Sequence, residues 1–143
     1  MSESDYTNHT DYKLPLPELG GLHKEFYDHC KSHALHFQRC DDCERFRHVP
    51  REMCAGCGSW NWSWIPSSGR GRIFTWTVVE RPLHPAFATA CPYAPVVVEM
   101  EEGVRLLSEV SDVAPADLEI DMQVGVYYDD VTDDVTLPKF KRV

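Results

Sequence analysis

The fold is decided by residues 40–58, which read CDDCERFRHVPREMCAGCG. This stretch contains two CxxC pairs separated by ten residues. A CxxC turn places two thiolates on one side of a tight knuckle, and two knuckles can surround zinc with a tetrahedron of sulfur at about 2.3 Å. The spacing therefore predicts one metal site with the ligands Cys40, Cys43, Cys54 and Cys57.

Four protein thiolates leave no open position for water or substrate, so the predicted metal is structural and not catalytic. Gly56 and Gly58 suit the tight backbone of a knuckle. Zinc is the expected ion, and iron in a rubredoxin-like site is the main alternative because it takes the same four ligands. Disulfides are less favoured, since nothing places the chain in an oxidising compartment.

Length and charge limit the class of protein. A chain of 143 residues suits one globular domain with a modest core. No apolar run approaches the roughly 20 residues of a membrane helix. The polar N-terminus lacks the apolar region of a secretory signal, so we expect a cytoplasmic protein without membrane contact. The net charge of -9 disfavours binding to nucleic acid.

The charge is unevenly distributed. Residues 99–136 contain twelve acidic residues and one basic residue, Arg105, whereas residues 39–72 contain six arginines. The arginine-rich region either forms a solvated face of mixed charge or binds a small phosphorylated ligand or an acidic partner.

The chain before the cysteines predicts a flexible tail over residues 1–17 and a helix over 18–34. The tail is polar and closes with two prolines. In the helix, apolar residues recur at steps of three and four. This stripe packs either on the chain's own core or on another subunit. Its members are Leu19, Leu22, Phe26, Cys30 and His33.

The chain after the helix predicts β-structure. Residues 35–66 form the metal-binding ribbon, with Trp60, Trp62 and Trp64 on one face of a strand. These tryptophans cover the ribbon, stack on a base or adenine ring, or meet a protein. Residues 67–143 predict about five strands, including one over 73–80, which suggests a small closed barrel. Residues 81–95 contain four prolines and predict an irregular loop.

No complete catalytic constellation is evident in the sequence. It contains no GxSxG, P-loop or GxGxxG motif, and its seven histidines show no metal-binding spacing. Cys30 lies on the apolar stripe and Cys91 in the proline-rich loop. A nucleophilic cysteine needs a neighbour that favours the thiolate. His84 is the one residue near Cys91 in sequence that could favour its thiolate. A single neighbouring histidine does not make a catalytic site, so we expect no catalytic residue in this chain.

The order of these features resembles the zinc-ribbon plus OB-fold proteins associated with acyl-CoA metabolism, long catalogued as a domain family of unknown function. The resemblance extends from about residue 26 to residue 140. Relatives commonly have a glycine where this chain has Asp121, a residue type that tolerates the left-handed conformation. The matching residues are Leu35-His-Phe-Gln-Arg-Cys40-Asp-Asp-Cys43, Pro50-Arg51, Cys54-Ala-Gly-Cys57-Gly58-Ser59, Gly69-Arg-Gly71, Thr75-Trp-Thr77, Pro92-Tyr93, Val98-Glu99, Glu102-Gly103 and Pro138-Lys-Phe140.

The resemblance implies a mainly β fold: an N-terminal helix, a rubredoxin-like zinc ribbon, then a five-stranded OB-fold barrel. It also implies a non-catalytic accessory subunit of a thiolase-fold, sterol-carrier-type enzyme, in a hetero-oligomer such as a heterotetramer. That enzyme would act on acyl-CoA, as a retro-aldolase in steroid or fatty-acid side-chain degradation. The predicted partner interface consists of Leu22, Phe26, His84, Phe87 and Tyr93.

Two alternatives remain open at the level of sequence. The chain could bind acyl-CoA directly, with Arg70, Arg72 and Arg81 meeting the CoA phosphates through charge-assisted hydrogen bonds. An OB-fold can also bind single-stranded nucleic acid, although the acidic charge argues against it.

Overall fold

The computed structural model describes residues 14–143, so the first thirteen residues of the predicted tail lie outside it. The described chain is mainly β, which confirms the predicted fold class. No helix between residues 14 and 143 has the length and apolar character to cross a membrane. The elements are α1 (Gly21–Lys31), β1 (His36–Cys40), β2 (Phe46–Arg47), β3 (Trp62–Pro66), β4 (Arg70–Trp76), β5 (Val96–Met100), β6 (Arg105–Ser108), β7 (Gln123–Asp130) and β8 (Thr136–Arg142).

The ribbon is a three-stranded antiparallel sheet in the order β2-β1-β3. Strand β1 pairs with β3, and Gln38 lies directly opposite Trp64 on the neighbouring strand. Trp62 and Trp64 lie on the same strand with their rings edge to face, 5.3 Å between centroids. Trp60 precedes the strand and is 65% exposed, so the predicted row of three tryptophans contains only two strand residues.

The barrel is the predicted five-stranded sheet, and its strand order is β6-β5-β4-β7-β8. Its edge strands meet through hydrogen bonds. The Ser108 hydroxyl donates to the Pro138 carbonyl at 2.7 Å, and the Phe140 amide donates to the Glu109 carbonyl at 3.0 Å. These contacts close the sheet around an apolar core that contains Ile73 and Phe140.

Strand β4 ends at Trp76, whereas the sequence predicted a strand as far as residue 80. Beyond Trp76, pairing is reduced to the Thr77 amide on the Pro95 carbonyl and an isolated bridge between Val79 and Tyr93. The facing segment contains Pro92 and Pro95, which have no N–H to donate. A regular ladder therefore cannot continue there.

Helix α1 is shorter than the predicted 18–34 because positive φ angles flank it. Gly21 at its first turn has a φ of 56°, and His33 just after it has a φ of 55°. Phe26 and Cys30 belong to the same core cluster as the barrel residues. At Phe26 and Cys30, the apolar stripe of the helix therefore packs on the chain's own core and not on another subunit.

The ribbon and barrel are joined by hydrogen bonds on both sides of the connection. The Leu35 amide donates to the Tyr128 hydroxyl at 2.7 Å, and the Ser67 amide donates to the Leu35 carbonyl at 2.8 Å. The Glu102 carboxylate accepts from the Ser67 hydroxyl and the Ser68 amide. The chain is thus held where it enters the ribbon and where it leaves it.

Candidate metal centre

The four predicted cysteines converge at one end of the ribbon. Their sulfur atoms all lie within 4.8 Å of one another, and no other such group of three or more ligating side chains occurs in residues 14–143. The Sγ atoms of Cys40 and Cys57 are 3.6 Å apart, as are those of Cys43 and Cys54. A tetrahedron with metal–sulfur bonds of about 2.3 Å has edges of about 3.8 Å. The cluster therefore fits a tetrahedral metal ion.

The two CxxC knuckles are built by the same backbone hydrogen bonds. The Glu44 amide donates to the Cys40 carbonyl at 3.0 Å, and the Gly58 amide donates to the Cys54 carbonyl at 2.9 Å. The residue after each second cysteine has a left-handed backbone, with φ of 62° at Glu44 and 77° at Gly58. Each turn thereby brings its two sulfurs to one side.

Backbone amides and neighbouring sulfurs set the acidity of the thiols. The amides of Cys57 and Gly56 point at the Cys54 sulfur and lower the pKa of Cys54 to about 6. The Ser59 amide lowers the pKa of Cys57, but the Cys40 sulfur, burial and the other two sulfurs raise it more, to about 12. A bound cation would offset this repulsion among four thiolates.

Polar side chains tie the first knuckle to β3. The Ser59 hydroxyl donates to the Asp42 carboxylate, and the same hydroxyl oxygen accepts the Asn61 amide at 3.0 Å. The Ser63 hydroxyl donates to Asp41 at 2.7 Å. The two residues between Cys40 and Cys43 therefore hold the ligand turn in place.

A buried glutamine organises the loop between the knuckles, which sequence reasoning did not find. Gln38 is fully buried, and its side-chain oxygen accepts from the Arg51 amide at 2.7 Å and from Arg47 Nε at 3.0 Å. Arg47 Nη2 also donates to the Arg51 carbonyl at 2.6 Å. The sequence did contain a signal for this role, because Gln38 is a polar residue at an inward-facing position of the predicted strand.

The three arginines predicted to contact CoA phosphates are not gathered into a site. Arg72 is engaged by Glu99 at 3.0 Å and Asp121 at 3.4 Å. The Glu99 pKa is lowered, first by the hydrogen bond from Arg72. Arg70 is exposed in β4, and Arg81 is exposed in the loop 81–95. The cavity that Arg72 lines contains neither Arg70 nor Arg81.

The predicted interface residues divide into two groups. Phe26 is only 3% exposed and packs in the core, so it is not available to a partner; Leu22 is half-buried on the same helix. The other three residues lie together in the loop 81–95. Phe87 and Tyr93 stack with ring centroids 5.3 Å apart, and His84 Nδ1 accepts the Ala86 amide.

The two remaining cysteines lie away from the metal ligands. Cys30 is fully buried, and burial raises its pKa to about 12. A thiol of this kind behaves as a small apolar side chain. Cys91 is half-buried in the proline-rich loop.

Comparisons with known proteins support this architecture. Residues 28–63 match the family described as ChsH2, rubredoxin-like zinc ribbon domain, and residues 64–129 match the ChsH2, C-terminal OB-fold domain. The solved structure of the Ltp2-ChsH2(DUF35) aldolase contains a chain that is 32% identical with a TM-score of 0.80. The match covers 89% of this chain and 98% of that chain. This chain belongs to the DUF35 family.

Curated relatives of this DUF35 chain include proteins from bacteria and archaea. A DUF35 domain-containing scaffold protein of Methanocaldococcus jannaschii is 32% identical over 67% of this chain and 68% of its own length. A probable enoyl-CoA hydratase alpha subunit of Thermomonospora curvata is 33% identical over 89% of this chain. The 3-oxo-4,17-pregnadiene-20-carboxyl-CoA hydratase alpha subunit of Mycobacterium tuberculosis is 36% identical over 76% of this chain. The DUF35 chain spans only 39% and 34% of the lengths of these two subunits.

Proposed function

We propose that this DUF35 chain is a non-catalytic accessory subunit that binds a thiolase-fold enzyme acting on acyl-CoA. The observation that carries the proposal is the match to nearly the whole length of one chain of the Ltp2-ChsH2(DUF35) aldolase. The scaffold name of the archaeal relative points the same way. A hetero-oligomer such as a heterotetramer is the expected assembly.

The reaction supported by the comparisons is aldol cleavage of an acyl-CoA thioester, in steroid or fatty-acid side-chain degradation. The matching structure is named an aldolase, and one relative is named for a steroid-derived CoA thioester. Bond cleavage is assigned to the partner, because a metal held by four thiolates has no open position for a substrate.

The metal in the proposal is zinc in a structural role. The four sulfurs have tetrahedral spacing, and the matched family is described as a zinc ribbon. Iron fits the same four thiolates. Elemental analysis of protein purified from cells grown without added metal should find about one zinc per chain; a stoichiometric amount of iron instead would contradict this assignment.

The loop 81–95 is the proposed docking surface. Its internal stacking and its bridge to Val79 make it an ordered projection from the barrel. Leu83, which sequence reasoning did not single out, is 90% exposed there. An exposed apolar side chain beside aromatic residues forms an apolar patch of the kind that marks protein interaction sites. Phe87 and Tyr93 would support Leu83 from the same loop.

The test is co-expression of the chain with the thiolase-fold protein encoded beside it. Size-exclusion chromatography with light scattering should give one hetero-oligomeric peak, and the complex should cleave a β-hydroxyacyl-CoA that neither component cleaves alone. If the two proteins elute separately, or if this chain alone turns over the thioester, the proposal is wrong.

A pair of substitutions tests the location of the interface. Leu83→Ser should weaken the complex roughly tenfold or more. Ile120→Ser is the matched control, because Ile120 is 59% exposed outside the loop, and it should leave the affinity within twofold. Equal effects of the two substitutions would exclude the loop as the docking surface.

A further inference from the structure

A cleft separates the loop between the metal-binding knuckles from the β5–β6 turn of the barrel. Its volume is about 470 Å³, and its walls come from residues 45–55 on one side and 103–105 on the other. Small-molecule sites commonly have volumes of about 300–1,000 Å³. The volume of the cleft therefore falls within the range of small-molecule sites.

The cleft is lined by four arginines and by no acidic residue. Arg105 has a carboxylate partner, because its Nε lies 3.4 Å from Glu99. No ion pair joins Arg45, Arg47 or Arg51 to a carboxylate in residues 14–143. Three positive charges in one concavity attract an anion, and low-dielectric walls strengthen the attraction.

The three arginines are held differently. Arg47 is fixed by the Arg51 carbonyl and Gln38, and its Nη1 is buried without a hydrogen-bond partner among the described residues. No hydrogen bond or ion pair occupies the exposed Arg51 side chain within residues 14–143.

Arg45 has a second role beside the metal. A Cβ placed on Gly56 would lie 2.7 Å from Arg45 Nη1, so the guanidinium covers the second knuckle. Four thiolates around a divalent metal carry a net charge of about -2, and Arg45 offsets part of it. Arg47 and Arg51 therefore supply most of the charge that is free to act on a ligand.

A second, mainly apolar cavity of about 430 Å³ lies beside the cleft. The two cavities share His48, Val49 and Arg105. The second is lined mainly by apolar side chains, including Tyr27, Leu106, Leu107, Leu137 and Pro138. A ligand lying along both cavities would have a negatively charged end and an apolar body.

We propose that this cleft binds a small molecule that carries a phosphate group and an apolar body. The phosphate contacts the exposed side chains of Arg45 and Arg51, whose planar guanidinium groups can make paired, charge-assisted hydrogen bonds, and Arg47 adds positive charge from the wall of the cleft. The apolar part lies in the cavity beside Leu107. The site belongs to this chain alone and does not depend on the proposed enzyme partner.

The test is calorimetry on the full, metal-loaded chain at low salt, with inorganic pyrophosphate and geranyl pyrophosphate as probes. Pyrophosphate should bind saturably and more weakly as salt is added. Geranyl pyrophosphate should bind at least about tenfold more tightly, because its hydrocarbon chain is transferred from water into the second cavity. Absence of saturable binding of both probes would overturn the proposal, and equal affinities would overturn its apolar half.

Three substitutions locate the binding. Arg51→Gln should weaken both probes about tenfold. Arg142→Gln removes the same charge from the exposed end of β8 and should leave both affinities within twofold. Leu107→Ser, at a side chain that is 68% exposed, should weaken geranyl pyrophosphate alone. Equal losses in the two arginine variants would show a general charge effect and contradict the site.

Discussion

The ribbon and the barrel are stabilised by different physical means. The ribbon has four sulfurs at metal-binding distances and a polar interior around Gln38. The barrel encloses Ile73, Val98 and Phe140, all fully buried. Apolar burial can stabilise a closed five-stranded sheet, whereas a short three-stranded ribbon has little apolar surface to bury. A single chain thus contains one region that depends on a ligand and one that depends on packing.

Metal removal should break the ribbon and spare the barrel. Structural zinc contributes roughly 10–16 kcal/mol in small zinc-binding peptides, and its loss leaves the knuckles with mutually repelling thiolates. Chelator treatment, or the substitution Cys54→Ser, should abolish dispersed amide NMR signals from residues 40–62. Signals from β5 and β7 should persist. Cys91→Ser, in the proline-rich loop, is the control and should retain the metal.

Loss of barrel signals together with ribbon signals would show that the two regions unfold as one unit. It would contradict the view that the ribbon depends on the metal and the barrel on packing. The shared core cluster, which includes Phe37 of the ribbon, is the contact through which such coupling would act.

Truncation of the barrel core should have the next largest effect. Phe140→Ala removes a fully buried ring and should reduce the free energy of unfolding by about 3–5 kcal/mol. Urea titration followed by far-UV circular dichroism measures this loss. Val143→Ala, at a side chain that is 78% exposed, should change stability by less than about 0.5 kcal/mol. Similar losses in both variants would contradict the assignment of the core.

Acid should weaken the packing of the ribbon against helix α1 through His48, whose ring contacts Phe26 and Phe37. Burial, and then the charge of His23, lower the pKa of His48 from its usual 6.5 to about 4. The unfolded chain therefore binds the proton first, and stability falls as the pH drops from about 6.5 towards 4. Between pH 7.5 and 5.5 the loss should be about 1 kcal/mol.

The control for this pH effect is His48→Phe, which removes the titrating group beside Phe26 and Phe37. Protonation of the metal-binding thiolates affects both proteins, so the difference between their unfolding free energies isolates His48. A difference that stays constant with pH would show that His48 does not titrate in this way.

The smallest effect should come from the residue after each knuckle's second cysteine, which is Glu44 in one knuckle and Gly58 in the other, although both have a left-handed backbone. Glu44 adopts a left-handed φ that costs most residues about 1–2 kcal/mol. Glu44→Gly should relieve this strain and raise ribbon stability by up to about 1 kcal/mol, after the entropy cost of glycine. Gly58→Ala should have the opposite effect, because a Cβ there meets no atom within 4 Å and adds only strain.

The thermal midpoint of metal release measures both changes. Destabilisation by Glu44→Gly would show that the Glu44 side chain stabilises the knuckle more than its backbone conformation costs.

Sequence patterns predicted the parts of the molecule that depend on local chemistry. Cysteine spacing predicted which four cysteines converge at one end of the ribbon, and β-branched runs predicted the five barrel strands. Asp121 has the left-handed φ of 65° that its residue type tolerates. Each of these features is decided within a few residues.

The features that were missed depend on segments distant in sequence. Phe26 reaches the core only because α1 packs against the barrel. The arginine-lined cleft needs residues 45–55 beside residues 103–105, and no local pattern indicates that proximity. Trp60 continues the spacing of two but lies outside β3.

The hydrogen bonds that Tyr128 and Glu102 accept from the two ends of the ribbon have a mechanical consequence. A joint held at a single strand would act as a hinge, but one held at both strands resists bending and twisting. The ribbon should therefore keep a constant angle to the barrel, and a force applied at the metal-binding tip would be transmitted through β7 to the far side of the molecule.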